Sequence, residues 1–137
     1  MRLSAPRAQL AGCMWLARIL EKARLMEAQT LPADYAVRFC HPTGVDSQFL
    51  RFFNLDKDAL LKASQLEDSD FAQWFLRYPG VTPGKIEEWN HLATNLGRTG
   101  FPMAERLPVA LSTTYSHLDP SGITSVFEAI EQDERQT

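Results

Sequence analysis

Apolar residues recur at helical spacing through most of this chain, and short polar residues, prolines and glycines punctuate them. That pattern confines the fold to packed helices. Phe49, Phe52 and Phe53 share one face, as do Ala59, Leu60, Ala63 and Leu66. Phe71, Trp74, Phe75 and Tyr78 follow, then Ile86, Trp89, Ala93 and Leu96, then Ile123, Val126, Phe127 and Ile130. No β alternation of useful length and no internal repeat interrupts the series. The reading is an all-α fold over residues 1–137, a single compact domain of about six short to medium helices with a frayed C-terminal tail.

Local signals place the boundaries. The opening helix is expected from Pro6 to Met26 with its cap at Ser4 or Ala5, because proline suits the first helical turn. Residues 31–45 hold Pro32, Pro42 and Gly44 without helical period and read as a long connection. Asp46, Asp56 and Ser69 are expected to cap three short helices, and Thr82 with Pro83 to open a fourth that Gly97 ends. Residues 103–111 are weakly helical around Pro108, and Asp119-Pro120 is expected to open the last helix. Fraying is expected after Gln132, since the acidic run from Glu128 to Glu134 opposes the helix dipole.

A chain of 137 residues is long enough to bury a core without disulfides or metals. Its 14 basic and 17 acidic residues leave a net charge of −3, which argues against a nucleic acid or an anionic membrane as partner. Cys13 and Cys40 form no CxxC pair and read as reduced, small apolar side chains in a cytoplasmic protein. Leu10-Ala11-Gly12-Cys13 looks like a lipoprotein cleavage box, but Pro6, Arg7 and Gln9 break the apolar run that such a signal requires.

Few residues carry chemistry. Glu88 and His91 have the spacing of a helical metal-ligand pair, but the second pair and the further carboxylates of such a site are missing, so neither metal nor cofactor is expected. Adjacent Cys40 and His41 point apart in an extended loop and make no catalytic pair. Arg18, Lys22 and Arg24, beside Trp15, admit two readings: an anion site, since a guanidinium matches carboxylate or phosphate, or ordinary solvated and paired charge. On a helical projection Arg18 and Lys22 fall outside the apolar arc of Leu10, Cys13, Ala17 and Leu20, whereas Arg24 falls inside it. Arg24 is therefore expected to be largely buried and held by an acidic residue, Asp34 or Asp46, or by a backbone carbonyl outside its own helix.

Five segments together resemble the bacterial domain-of-unknown-function family 5069. They are Gly12 with residues 15–24 (Trp-Leu-Ala-Arg-Ile-Leu-Glu-Lys-Ala-Arg), Leu31-Pro32-Ala33-Asp34-Tyr35, Phe49-Leu50-Arg51-Phe52, Ile86-Glu87-Glu88-Trp89-Asn90, and residues 124–134. The resemblance implies a small soluble bacterial protein and brings no known activity. Its recurrent positions map onto Trp15, Arg18, Lys22, Arg24, Tyr35, Trp89 and Asn90, which join Asp34 as candidate ligand-binding residues. The chain departs from the family pattern at Ala11-Gly12, where the family often has two glycines, and at His91, where it often has an apolar or small residue. The expected function is a binding or interaction module for a small anionic ligand or a protein segment. The alternative is an enzyme acting on a small anionic metabolite, with Arg18 or Arg24 holding substrate and Asp34 or Tyr35 in acid/base roles.

Overall fold

A computed structural model describes residues 2–136. The chain is mostly helical. Among these residues a two-stranded hairpin, β1 (Gln9–Leu10) and β2 (Cys13–Met14), precedes eight α-helices rather than six. The helices are α1 (Leu16–Glu27), α2 (Ala33–Arg38), α3 (Val45–Phe52), α4 (Lys57–Ala63), α5 (Asp68–Arg77), α6 (Pro83–Thr94), α7 (Arg106–Ser112) and α8 (Val126–Arg135); a 3-10 turn, Pro120–Gly122, lies before the last. They belong to two compact units that divide at Trp89 and Asn90, within α6.

The expected helix from Pro6 is replaced at its start by the hairpin. Gln9 pairs with Met14 and Leu10 with Cys13, and the two turn residues, Ala11 and Gly12, have φ of 55° and 77°. Two consecutive positive φ values define the tight turn that matches strand twist, and a helix cannot pass through them. Trp15 then takes φ 74° and accepts the first helical bond from Ile19 N at 2.9 Å, so α1 begins at Leu16.

Where α1 ends, the amide of Thr30 donates to Leu25 O and that of Gln29 to Met26 O, with Gln29 at φ 58°. This double closure normally uses glycine at the left-handed position. The connection expected over 31–45 contains α2; at six residues it is too short for a period to register, and Pro32 with Asp34 supplies its start.

Asp56 caps α4, accepting from Ala59 N at 3.1 Å, and Thr82 Oγ1 accepts from Lys85 N at 3.1 Å where α6 begins. The other two expected caps are displaced. Asp46 lies inside the first turn of α3, whose cap position is Gly44, and Ser69 lies inside α5, which starts at Asp68. The core of the first unit is aromatic: Phe49 lies 5.1 Å from Phe53, 6.1 Å from Phe75 and 5.3 Å from Trp89, ring centre to ring centre, in stacked and edge-on contacts.

In the second unit α6 ends at Thr94, three residues before the expected Gly97, whose φ is 92° and whose amide donates to Pro102 O at 2.8 Å; the amide of Val126 donates to Leu96 O at 2.8 Å. Pro108 falls in the first turn of α7, where its missing N–H has no helical acceptor to lose. Asp119 caps only the 3-10 turn; α8 starts later because Ser125 accepts from Glu128 N at 3.3 Å while Glu128 Oε1 takes Thr124 N at 3.1 Å. Burial works to raise the pKa of Glu128, but these bonds, those from the Thr124 and Ser125 hydroxyls and the charge of Arg98 together lower it. The acidic run lies within α8, which continues through Arg135.

Candidate functional site

The residues singled out on α1 separate into two places. On one side Lys22 Nζ donates to Asp46 Oδ1 at 2.8 Å and to Oδ2 at 2.7 Å. The Trp15 indole N–H donates to Oδ1 at 2.8 Å and the Cys40 amide to Oδ2 at 3.0 Å. The carboxylate is saturated. The Arg18 guanidinium lies 5.3 Å from the Trp15 ring centre and donates to Ser4 O at 3.1 Å, while Lys22 Nζ lies 5.0 Å from the same ring. Glu21 completes the lacing of α1 to the N-terminal segment: it accepts from Ser4 N at 2.6 Å and from the Ser4 hydroxyl.

Arg18 and Lys22 are only 4% and 5% exposed, which corrects their expected place on a solvated face. The N-terminal segment covers one flank of α1 and the start of α3 meets the other, so the polar stripe of the helix faces protein. Burial pushes the Lys22 pKa below its ordinary value, against the pull of Asp46. An ion pair so enclosed, with every carboxylate lone-pair direction occupied, has no capacity left to accept a substrate proton. Its chemistry is structural: it ties α1, α3 and the Cys40 turn to one point.

Arg24 occupies the second place. Its Nε donates to Ser64 O at 2.9 Å, its Nη2 to Leu66 O at 2.8 Å, and its Nη1 to Asp68 Oδ1 at 2.7 Å. The expected carbonyl and carboxylate partners are therefore present, but the carboxylate is Asp68 rather than Asp34 or Asp46, and the side chain remains 35% exposed. A surface groove of about 670 Å³ runs here, lined by Arg24, Glu27, Ala28 and residues 64–69.

The other candidates lie apart. Asp34 is exposed in the first turn of α2, and Tyr35 is half-buried next to it. Trp89 is fully buried, with its indole N–H on Met14 O at 2.9 Å, so it anchors the hairpin to the aromatic core. Asn90 is half-buried at the start of the second unit. Glu88 and His91 are both exposed, and no group of three or more metal-ligating side chains is assembled among the described residues. Sequence reasoning missed Asp46 as the acceptor that gathers Trp15 and Lys22. The available signal was an aspartate between Val45 and Phe49, on the side of α3 that the core requires.

A family model described as a domain of unknown function, DUF5069, matches residues 2–136. The chain belongs to this family. No curated protein matches it. In this DUF5069 chain Trp15 and Lys22 converge on Asp46, Arg18 lies against the Trp15 ring, and Trp89 holds the hairpin that carries β2 into Trp15.

Proposed function

We propose that this DUF5069 protein is a binding module of the bacterial cytoplasm that takes a basic protein segment into the groove beside Arg24. The observation that carries the reading is the state of Arg24. Each of its three donor nitrogens already meets an acceptor, Ser64 O, Leu66 O and Asp68, so its charge is paired and only the second N–H of each Nη is left for a small anion. The remaining charges on the lining are Glu27 and Glu67, and the side chain of Asp68, which pairs with Arg24, is 76% exposed. Such a surface complements lysine or arginine in an extended segment, not phosphate or carboxylate. The net charge of −3 leaves nucleic acid and anionic membrane outside the proposal, and no helix among the described residues is long and apolar enough to cross a membrane.

The test is fluorescence anisotropy of a labelled lysine-rich peptide, run beside a glutamate-rich one of equal length. Binding of the basic peptide that weakens with added salt and with the double substitution Glu67→Gln, Asp68→Asn supports the reading. Preference for the acidic peptide, or thermal stabilisation by small anionic metabolites alone, overturns it in favour of an anion site. Turnover of such a metabolite, lost in Tyr35→Phe or Asp34→Asn, would establish the enzyme instead.

A further inference from the structure

We infer that Arg24 is the positioning residue of the groove: its guanidinium fixes the wall formed by residues 65–70 against the end of α1, so that Glu67 and Asp68 stand in place before a ligand arrives, a ligand whose basic character rests on the reading proposed for this site. Residues 65–70 are all exposed, between the buried side chains of Ser64 and Phe71, so burial does not locate them. Their backbone bonds are local. The amide of Gln65 donates to Lys62 O at 3.3 Å, that of Leu66 to Ala63 O at 3.0 Å, and that of Phe71 to Glu67 O at 2.8 Å, and no side chain caps α5 at Glu67. Such bonds shape the turn without placing it on α1.

Among the described residues, the hydrogen bonds and the ion pair that reach 65–70 from outside α4 and α5 come from Arg24, in the last turn of α1: Nη2 on Leu66 O at 2.8 Å and Nη1 on Asp68 Oδ1 at 2.7 Å. The third bond steadies the other two. Nε donates at 2.9 Å to the carbonyl of Ser64, a residue 1% exposed at the end of α4, and because the guanidinium is planar that bond sets the direction of both Nη groups. Replacing Arg24 has two opposed effects on a basic ligand. Asp68 is released from a cation, which favours the ligand, and the wall is released from α1, which does not. The Arg24–Asp68 pair is exposed on both sides and therefore weak, so its release gains little. A loose wall must be ordered at the moment of binding, side chains included, and that cost is the larger of the two. Loss of a positive charge from an acidic groove should thus weaken, not tighten, its hold on a basic segment.

Two measurements on the full chain test this: anisotropy of the labelled lysine-rich peptide, and backbone ¹⁵N relaxation without peptide. Arg24→Gln should weaken the peptide by about fivefold or more. Arg24→Lys, which keeps the charge and loses the planar fork, should weaken it as well. Lys62→Gln, which takes an exposed cation off α4 outside the groove lining, should not. In the absence of peptide, the amides of Leu66, Glu67, Asp68 and Ser69 should lose order in both Arg24 variants, while those of Phe71 and Phe75 keep theirs. Tighter binding by Arg24→Gln, or parent affinity in Arg24→Lys, reduces Arg24 to a bystander charge and overturns the inference. Unchanged order at all four amides overturns it too, whatever the peptide does. Failure of the parent chain to bind the peptide removes the basic-segment reading alone, and the relaxation of the four amides still decides whether Arg24 places the wall.

Discussion

Lys22 and Asp46 form a buried pair, the ammonium 2.8 and 2.7 Å from the two carboxylate oxygens and the side chains 6% and 1% exposed. Separating two such charges leaves one of them stranded without water. Lys22→Met should therefore cost about 3–5 kcal/mol, and Asp46→Leu a similar amount. The double substitution should cost well under the sum, because no uncompensated charge remains; the Trp15 indole and Cys40 amide still lose their acceptor, so full recovery is not expected. Urea denaturation of the four proteins in the cycle measures the coupling, and additive losses would show that the pair is not a pair in energy.

Alkaline pH should expose the two thiols in a different way. A thiol ordinarily ionises near 9.0, and burial pushes Cys13 up to about 12 and Cys40 up to about 11, the latter helped by the charge of Asp46 and opposed by Lys57 and Lys22. The folded state thus keeps protons that the unfolded chain releases, so this stabilisation is whole below pH 9.0 and drains away as the pH rises toward those values. Lys22 works the other way: burial lowers its pKa from 10.5, so its penalty is complete only below that lowered pKa and fades as the pH climbs through it toward 10.5. Cys13→Ala should flatten the alkaline loss of stability relative to the parent chain, read from unfolding midpoints on either side of pH 9.0. An unchanged slope would place the loss elsewhere.

Two glycines should respond to alanine with opposite signs. A Cβ at Gly80 would lie 1.9 Å from Phe53 O, a backbone atom at the end of α3, so Gly80→Ala should destabilise by about 1–3 kcal/mol or more. A Cβ at Gly84 meets nothing within 4 Å inside α6, and Gly84→Ala should stabilise by about 0.5–1 kcal/mol. Thermal melts of the two variants decide the matter, and a neutral Gly80→Ala would mean that the Tyr78-Pro79-Gly80 turn can retreat from α3.

The hairpin turn can be improved. Ala11 occupies a left-handed position at φ 55° immediately before Gly12, where asparagine followed by glycine is the favoured pair. Ala11→Asn should raise stability by about 0.5 kcal/mol or more. A loss on denaturant titration would show that the Ala11 methyl makes a contact worth more than the strain.

Much of the chain's organisation was legible before folding. Asp56 and Thr82 mark helix starts through short-range chemistry, an oxygen facing a free amide, and such signals survive any tertiary arrangement. The aromatic stripes of α3, α5 and α6 likewise became the core, as their area demands. The hairpin was missed because a helical projection counts polarity and ignores the φ that each turn residue must take. Ala11 beside Gly12 is a mild turn signal next to a strong apolar period.

The charges of α1 were decided by tertiary structure. A helical wheel ranks positions by their own neighbours and placed Arg24 inward, with Arg18 and Lys22 outward. The fold reverses them because Ser4 lies against Arg18, and Asp46, 24 residues beyond Lys22 in sequence, supplies the partner that makes its burial tolerable. Arg24 instead reaches across to the backbone carbonyls of Ser64 and Leu66 and stays partly exposed. Local patterning determined that this chain is helical and which faces carry its aromatic core, since both follow from the spacing of side chains along one helix. Which cation is buried depends on whether an acceptor from a distant segment arrives to replace water, and only the assembled structure brings that acceptor into place.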